Sequence, residues 1–372
     1  MKKLSGVKKL KGKVVLVRVD FNVPVENGII LDDFRIKKTL PTIEKLRSLG
    51  AKVILISHFE GRGDTSLKNI LLYLNTFFSV TFVEDIFSKD ARQIVDEMKD
   101  SDVVLFENLR KWKGEKENDK SFAKHLASFA DIYVNEAFSA SHREHASIVG
   151  IPKNLPSYAG DLFSEELGAL KKVLSPQRPF LFILGGAKFS TKLPLLKKFL
   201  KKADRVVIAG ALMNNFYKEQ GFEVGKSIVE NGDFGIKNML KDKHLYIPGN
   251  VIVETKDKYV ETRDPSKVQV GDIIMDVGPD SIGDMQTFIN ESKFILWNGP
   301  LGNYENGYDE GTKELAHRIA EGAKDSIVGG GDTLTVISKL NLLDKYTFVS
   351  TAGGAMLDFL ANETLPGIEA LG

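Results

Sequence analysis

The sequence predicts an α/β protein of two α/β/α units, each built on a parallel sheet, and three observations carry that expectation. Short runs of Val, Ile, Leu and Phe recur along the chain with amphipathic, helix-like stretches between them, as strands covered on both faces by crossover helices do. The length of 372 residues exceeds what one hydrophobic core normally serves. A proline-bounded segment, "GIPKNLPSYAGDLFSEELGALKKVLSPQRP" (150–179), separates the runs into two sets, and its helix-like middle reads as a helical linker.

In chain order the first set comprises "VVLVRV" (14–19), "KVILIS" (52–57), "VTFVE" (80–84), "DVVLF" (102–106) and "DIYVN" (131–135). The second comprises "PFLFIL" (179–184), "RVVIAG" (205–210), "HLYIP" (244–248), "KFILW" (293–297), "DSIVG" (325–329) and "YTFVS" (346–350). Hydrophobic residues at 42% and charged residues at 27% exclude disordered, collagen-like and membrane classes. A formal net charge of +1 gives no global attraction to nucleic acid or anionic lipid, so an anion site must be a local cluster. There is no cysteine, which removes disulfides, thiolate metal sites and cysteine nucleophiles. The basic amino terminus has a short apolar run interrupted by Arg18 and does not read as a signal peptide. No stretch approaches the length of a membrane span, and a soluble, cytoplasmic protein is expected.

Ligands of open parallel sheets bind beyond the carboxyl ends of the strands, so the residues after each run matter most. In the first set they are basic. Asp20 and Asn22 follow 14–19, with Arg35 beyond them; His58 and Arg62 follow 52–57; Arg110 follows 102–106; His142 and Arg143 follow 131–135. Any one of these arginines alone reads as a solvated or salt-bridged loop residue. Placed repeatedly on one edge, they suit a small, multiply charged anion, which guanidinium groups grip bidentately. None of the six histidines falls in a metal-ligand spacing.

The second set ends in glycines: "LGGAK" (184–188), "AGALMNN" (209–215), "WNGPLGNYE" (297–305), "VGGGDT" (328–333) and "STAGGAM" (350–356). One such turn is ordinary packing. Five in one domain suggest a nucleotide with a long phosphate tail, with backbone N–H groups left free for phosphate oxygens at helix starts. Asp332 is the carboxylate suited to a Mg²⁺ that keeps most of its waters; it also reads as a helix N-cap, and one residue can serve as both. Lys188 and Lys192, four apart at the start of an expected helix, would share one face near its positive end. The stretch lacks the Walker spacing.

These motifs together resemble phosphoglycerate kinase over essentially the whole chain. The stretches that carry the resemblance are "RVDFNVP" (18–24), "SH" followed by "GR" (57–62), "ENLR" (107–110), "AFSASHREHAS" (137–147), "GGAKFSTKL" (185–193), "LWNGPLGNYE" (296–305), "GGGDT" (329–333) and "STAGGAMLDFL" (350–360). The resemblance implies a monomer of two Rossmann-like domains joined by a helix and a hinge. It divides the chain into a triose domain, 1–157 with about 356–372 returning to it, an interdomain helix, 158–175, and a nucleotide domain, 176–355. Asp20, Asn22, Arg35, His58, Arg62, Arg110, His142 and Arg143 match the triose set. Gly186, Ala187, Lys188, Lys192, Gly210, Asn298, Pro300, Gly302, Glu305, Gly330, Gly331, Asp332 and Thr333 match the nucleotide set, with Asp332 at the metal. Arg35, Lys192, Gly353 and Gly354 match the groups around the transferred phosphoryl. This sequence departs from the family pattern in an extra residue between His58 and the Gly-Arg pair, in Glu136 and Ser139, and in a thinned glycine run at 209–212.

The implied reaction is reversible transfer between the acyl phosphate of 1,3-bisphosphoglycerate and ADP, giving 3-phosphoglycerate and ATP with Mg²⁺. Transfer of this kind depends on positioning and charge stabilisation, with no covalent enzyme intermediate. A two-domain dehydrogenase is the rival enzyme class, disfavoured by the lack of a GxGxxG opening a βαβ unit. A nucleotide-binding regulator without turnover is the other rival, disfavoured by the arginine rim retained beside Lys192 and Asp332.

Overall fold

A strand whose neighbours lie on both sides and whose faces are both covered favours apolar side chains, and each apolar run of the first set becomes a strand of one sheet, that at 80–84 lying at its edge. β1 (Val14–Arg18), β2 (Lys52–Ile56), β3 (Val80–Val83), β4 (Val103–Phe106), β5 (Ile132–Asn135) and β6 (Ser157–Ala159) form a parallel sheet in the order β3-β4-β2-β1-β5-β6. The register sets Val17 beside Leu55 and Val134. Ile36, Leu40, Ile43 and Leu46 of the helix Phe34–Ser48 are buried in one core with Val15, Val53 and Val103. The computed structural model describes residues 1–60, 65–322 and 325–372. The chain divides into two units, one of Met1–Gly168 with Asn362–Gly372, the other of Ala169–Ala361.

In the second unit β7 (Phe180–Leu184), β8 (Arg205–Ile208) and β9 (Leu245–Tyr246) come first in the chain. β10 (Val251–Glu254), β11 (Val260–Arg263) and β12 (Ile273–Val277) form a separate antiparallel sheet in the order β11-β10-β12. β13 (Phe294–Asn298), β14 (Ser326–Gly329) and β15 (Phe348–Val349) complete a parallel sheet in the order β9-β8-β7-β13-β14-β15. The helix Phe189–Leu200 packs on it through Phe199, whose ring lies 4.7 Å from that of Phe182 and 5.7 Å from that of Phe180. The antiparallel sheet is absent from the expectation because β10 offers an apolar run of only three residues, 251–253, and its partner β11 is largely exposed and polar.

The segment read as a linker passes through a 3₁₀ turn, Ile151–Lys153, and β6 before it continues as the helix Asp161–Leu174. Glu136 caps that helix: its carboxylate accepts the amides of Leu162 at 3.0 Å and Phe163 at 3.3 Å, and the Thr42 hydroxyl as well. Burial pushes the Glu136 carboxyl up to about 7, against these hydrogen bonds. Its length is accommodated by Gly160, where a Cβ would stand 1.6 Å from Oε2. At the other end of the chain the Gly367 amide donates to Ser141 O at 2.9 Å, fixing 362–372 to the first unit.

Two glycines of this region are expected to respond oppositely to alanine. Gly160→Ala drives a methyl into the buried Glu136 carboxylate and should lower the thermal midpoint, at a cost of about 1–3 kcal/mol. Gly168 is exposed inside the helix Asp161–Leu174 with open space around it, so Gly168→Ala should stabilise by roughly 0.5–1 kcal/mol. Thermal unfolding of both variants checks the pair.

Candidate active site

In the first unit the carboxyl edge of the sheet collects the expected basic residues. Asp20 and Asn22 follow β1, Arg35 sits in the first turn of its helix, His58 follows β2, Arg110 lies in the turn Leu109–Lys111 after β4, and His142 and Arg143 follow β5. Arg35 Nη1 donates to Asp20 Oδ2 at 3.0 Å and to the Asn22 carbonyl at 3.2 Å. The Ser139 hydroxyl also donates to Asp20, so the side chain that departs from the family pattern is part of the site. Burial alone would raise the Asp20 carboxyl. Arg35, the Ser139 hydroxyl and the Asn22 amide outweigh it and hold the group at about 2.

Positive charge is concentrated here. Burial and then the Arg18 guanidinium push His58 well below its ordinary range; Asp20 opposes them, and Arg110 and Arg35 add to the depression. Burial, Arg110, Arg18 and Arg143 push His145 down to about 4. Arg110 pairs with the exposed Glu60, while its buried Nε has no hydrogen-bond partner among the described residues. A buried guanidinium N–H with no protein acceptor, in a field this positive, suits an anionic ligand. Asp20, Asn22, Arg35, His58 and Arg110 are thus brought together. His142 is half-buried beside the exposed Arg143, and Arg62 lies outside the described residues. Arg18 and His145 were not expected. Arg18 looks like an interruption of an apolar run, yet it is fully buried.

In the second unit the glycine turns work differently from the expectation. The amides of Gly185, Gly186 and Gly210 donate to the carbonyls of Asn298, Pro300 and Leu301 at 2.9, 3.0 and 3.0 Å, so they are not free for phosphate. The missing side chains matter instead. A Cβ at Gly185 would stand 2.2 Å from Pro300 O, and one at Gly210 2.5 Å from Gly186 N. The turns after β7, β8 and β13 therefore touch backbone to backbone. Beside them opens a cavity of about 480 Å³, lined by Gly186, Ala187, Gly210, Pro300, Gly302, Glu305 and Asp332, with Met213, Ile228 and Met275 as apolar wall.

Lys192 folds back onto this floor. Its Nζ donates to Gly185 O and reaches Asn298 Oδ1 at 3.3 Å. Burial pushes the amine down to about 8, with Asp332 acting in the other direction. Lys188, by contrast, is exposed and occupies the extended residue before the helix Phe189–Leu200. The first amides of that helix are already taken: Glu230 accepts Phe189 N, and Ser190 N at 3.1 Å. The expected pairing of two lysines over a bare helix start is thereby corrected, and Glu230 is a residue that inspection of the sequence missed.

Asp332 is not the N-cap of its helix. Gly330 (φ +104°) holds that position, and the helix runs Gly331–Lys339 with Asp332 in its first turn. Burial and the neighbouring Glu305 raise the Asp332 carboxyl, and Lys192 lowers it. The Thr333 hydroxyl is fully buried without a hydrogen-bond partner among the described residues. Gly353 (φ +55°) precedes the helix Gly354–Asn362, whose first amides have no partner within the helix.

The chain is similar to known proteins over nearly its whole length. The phosphoglycerate kinase family profile matches residues 5–363. The phosphoglycerate kinase of Dictyoglomus turgidum is 43% identical over 381 residues, spanning 97% of this chain and 96% of that protein. That of Coprothermobacter proteolyticus is 41% identical over 379 residues, with the same coverage. Among solved structures, the phosphoglycerate kinase of Coxiella burnetii superposes with a TM-score of 0.83 at 35% identity, covering 99% of this chain and 98% of that one. The enzyme of Pyrococcus horikoshii OT3 gives 0.86 at 30% identity, covering 100% and 98%.

The depressed amine of Lys192 has a consequence for stability. From about pH 8 to the ordinary 10.5 the unfolded chain holds a proton that the folded chain has released, so stability rises with pH across that window, and below it the buried charge is a burden. Lys192→Met should raise the thermal midpoint at pH 7, and the gain should shrink as pH climbs toward 10.5. Melting curves at pH 7, 9 and 10 check both the sign and the window.

Proposed function

The chain belongs to the phosphoglycerate kinase family, and from that premise we propose how its residues divide the work. It is a phosphotransferase of glycolysis, moving a phosphoryl group reversibly between the acyl phosphate of 1,3-bisphosphoglycerate and ADP to give 3-phosphoglycerate and ATP. In our reading Asp20, Asn22, Arg35, His58, Arg62, Arg110, His142 and Arg143 hold the triose. The turns at Gly186, Gly210 and Pro300–Gly302, with Glu305 and Thr333, hold the nucleotide. The observation that carries this division is the contrast between the two units: unbalanced cationic charge on one sheet edge, and a glycine-floored, partly apolar cavity on the other.

The transferred group passes through a loose transition state with charge spread over its equatorial oxygens, so fixed donors aimed at that charge supply the catalysis. Arg35, Lys192 and the amides at Gly353 and Gly354 fill that role in our reading. A phosphate arriving beside Lys192 adds negative charge next to an amine that burial has lowered, and so secures its proton when it is needed. Asp332, exposed at the cavity with Glu305 adding negative charge nearby, suits a Mg²⁺ that keeps most of its waters. When bound with the nucleotide, such an ion neutralises phosphate charge. Among the described residues no group of three or more His, Asp or Glu side chains forms a metal cage, which fits an ion shared with phosphates.

Because the two sets of residues belong to different units, we propose that closure about a hinge near the helix 158–175 aligns the reactants and shields the acyl phosphate from water. Of the described residues, no helix is long and apolar enough to cross a membrane. A cytoplasmic monomer acting on its two substrates, without nucleic-acid or membrane partners, completes the reading.

Two outcomes test it. With ADP, Mg²⁺ and 1,3-bisphosphoglycerate, Arg35→Ala should lose on the order of 10²–10³ in kcat while calorimetry finds ADP binding unchanged; equal loss of both contradicts the division of labour. Small-angle scattering should show compaction only when both substrates are present, and an unchanged radius would overturn the closure.

A further inference from the structure

Behind His58 stands a file of buried polar groups that none of the chemistry above uses. Arg18, at the end of β1, is fully buried, and so are Ser147, Glu115 and Tyr133. Arg18 Nη2 lies 3.0 Å from His58 Nδ1, and Arg18 Nε donates to Ser147 Oγ at 2.9 Å. The Ser147 hydroxyl donates to Glu115 Oε1 at 2.6 Å and the Ser147 amide to Oε2 at 2.9 Å. The Tyr133 hydroxyl donates to the Ser147 carbonyl at 2.6 Å, which fixes the backbone of the middle member.

The ends of this file dictate the direction of every bond in it. A guanidinium can only donate and a carboxylate can only accept. The hydroxyl proton of Ser147 therefore goes to Glu115, and its lone pair faces Arg18. By the same logic Nδ1 of His58 must accept from Arg18, so it carries no proton. The imidazole is left neutral, with its single N–H on Nε2. A histidine free to change tautomer would instead turn a lone pair toward an anion part of the time, and repel it.

We propose that Glu115 and Ser147 are positioning residues for the triose half-site, holding His58 through Arg18 as a neutral imidazole whose Nε2–H is a fixed donor to the anionic substrate. This rests on the reading of His58 as a triose-binding residue. Glu115 supplies the charge that lets Arg18 remain buried, and Ser147 transmits the direction. His58 then contributes shape and a hydrogen bond, leaving charge to Arg35 and Arg110.

The test labels the histidines of the full chain with ¹⁵N and reads the His58 tautomer by long-range proton–nitrogen correlation at neutral pH, assigned with His58→Ala. The native protein should show Nε2–H alone. Ser147→Ala should show a mixture of tautomers and a KM for 3-phosphoglycerate raised about three- to tenfold, the worth of one hydrogen bond, with KM for ATP within about twofold. Glu115→Gln should do the same, and serves where Ser147→Ala does not fold. A variant that keeps pure Nε2–H, or raises both KM values in parallel, overturns the proposal. If His58→Ala leaves KM for 3-phosphoglycerate unmoved, the assignment of His58 to the triose falls instead, and the network loses its purpose even with the tautomer fixed.

Discussion

A parallel sheet delivers the carboxyl end of every strand to the same edge, and both units of this protein are organised by that constraint. What differs is the cargo. The first unit sends charged side chains to its edge, from the ends of β1, β2, β4 and β5 and from the helix that follows β1. The second sends turns without side chains, so that the chain after β7, β8 and β13 can close to backbone contact. Lys192 reaches Gly185 O and Asn298 only because that floor is bare.

The electrostatics follow from these two constructions. At the cationic edge His58 and His145 are depressed, and the buried Asp20 is held ionised by the arginine beside it. Two buried acids elsewhere go the other way. Burial pushes Asp276 up to about 7, although it accepts the amides of Gly311 and Val277, and Glu136 behaves alike at the start of its helix. A carboxyl that holds backbone together tolerates neutrality. One that must orient a guanidinium does not.

Much of this could be read from the residues alone. Unbroken runs such as "FLFIL" and "VVLVR" declare buried parallel strands, and the residues after them declare the edge where chemistry gathers. Less legible were partnerships that span long sequence distances. Nothing around Glu115 in "GEKEN" marks it as the buried partner of Ser147, and nothing in "SIVE" marks Glu230 as a cap for the helix at Phe189. Glycines after strands are visible, but whether their amides face a ligand or a neighbouring carbonyl depends on how close the next turn comes. At Gly186 and Gly210 the neighbouring carbonyl takes them. β10 was hard to see because its apolar run, 251–253, is short, and its burial alternates only once the sheet has formed.

The return of residues 362–372 to the first unit imposes an order on biosynthesis. Emerging from the ribosome amino end first, the chain supplies the whole of its second unit, 169–361, before the piece that seats Gly367 against Ser141 has been made. The earlier-born unit is therefore the later one to be finished, and until then its sheet must persist with that seat vacant.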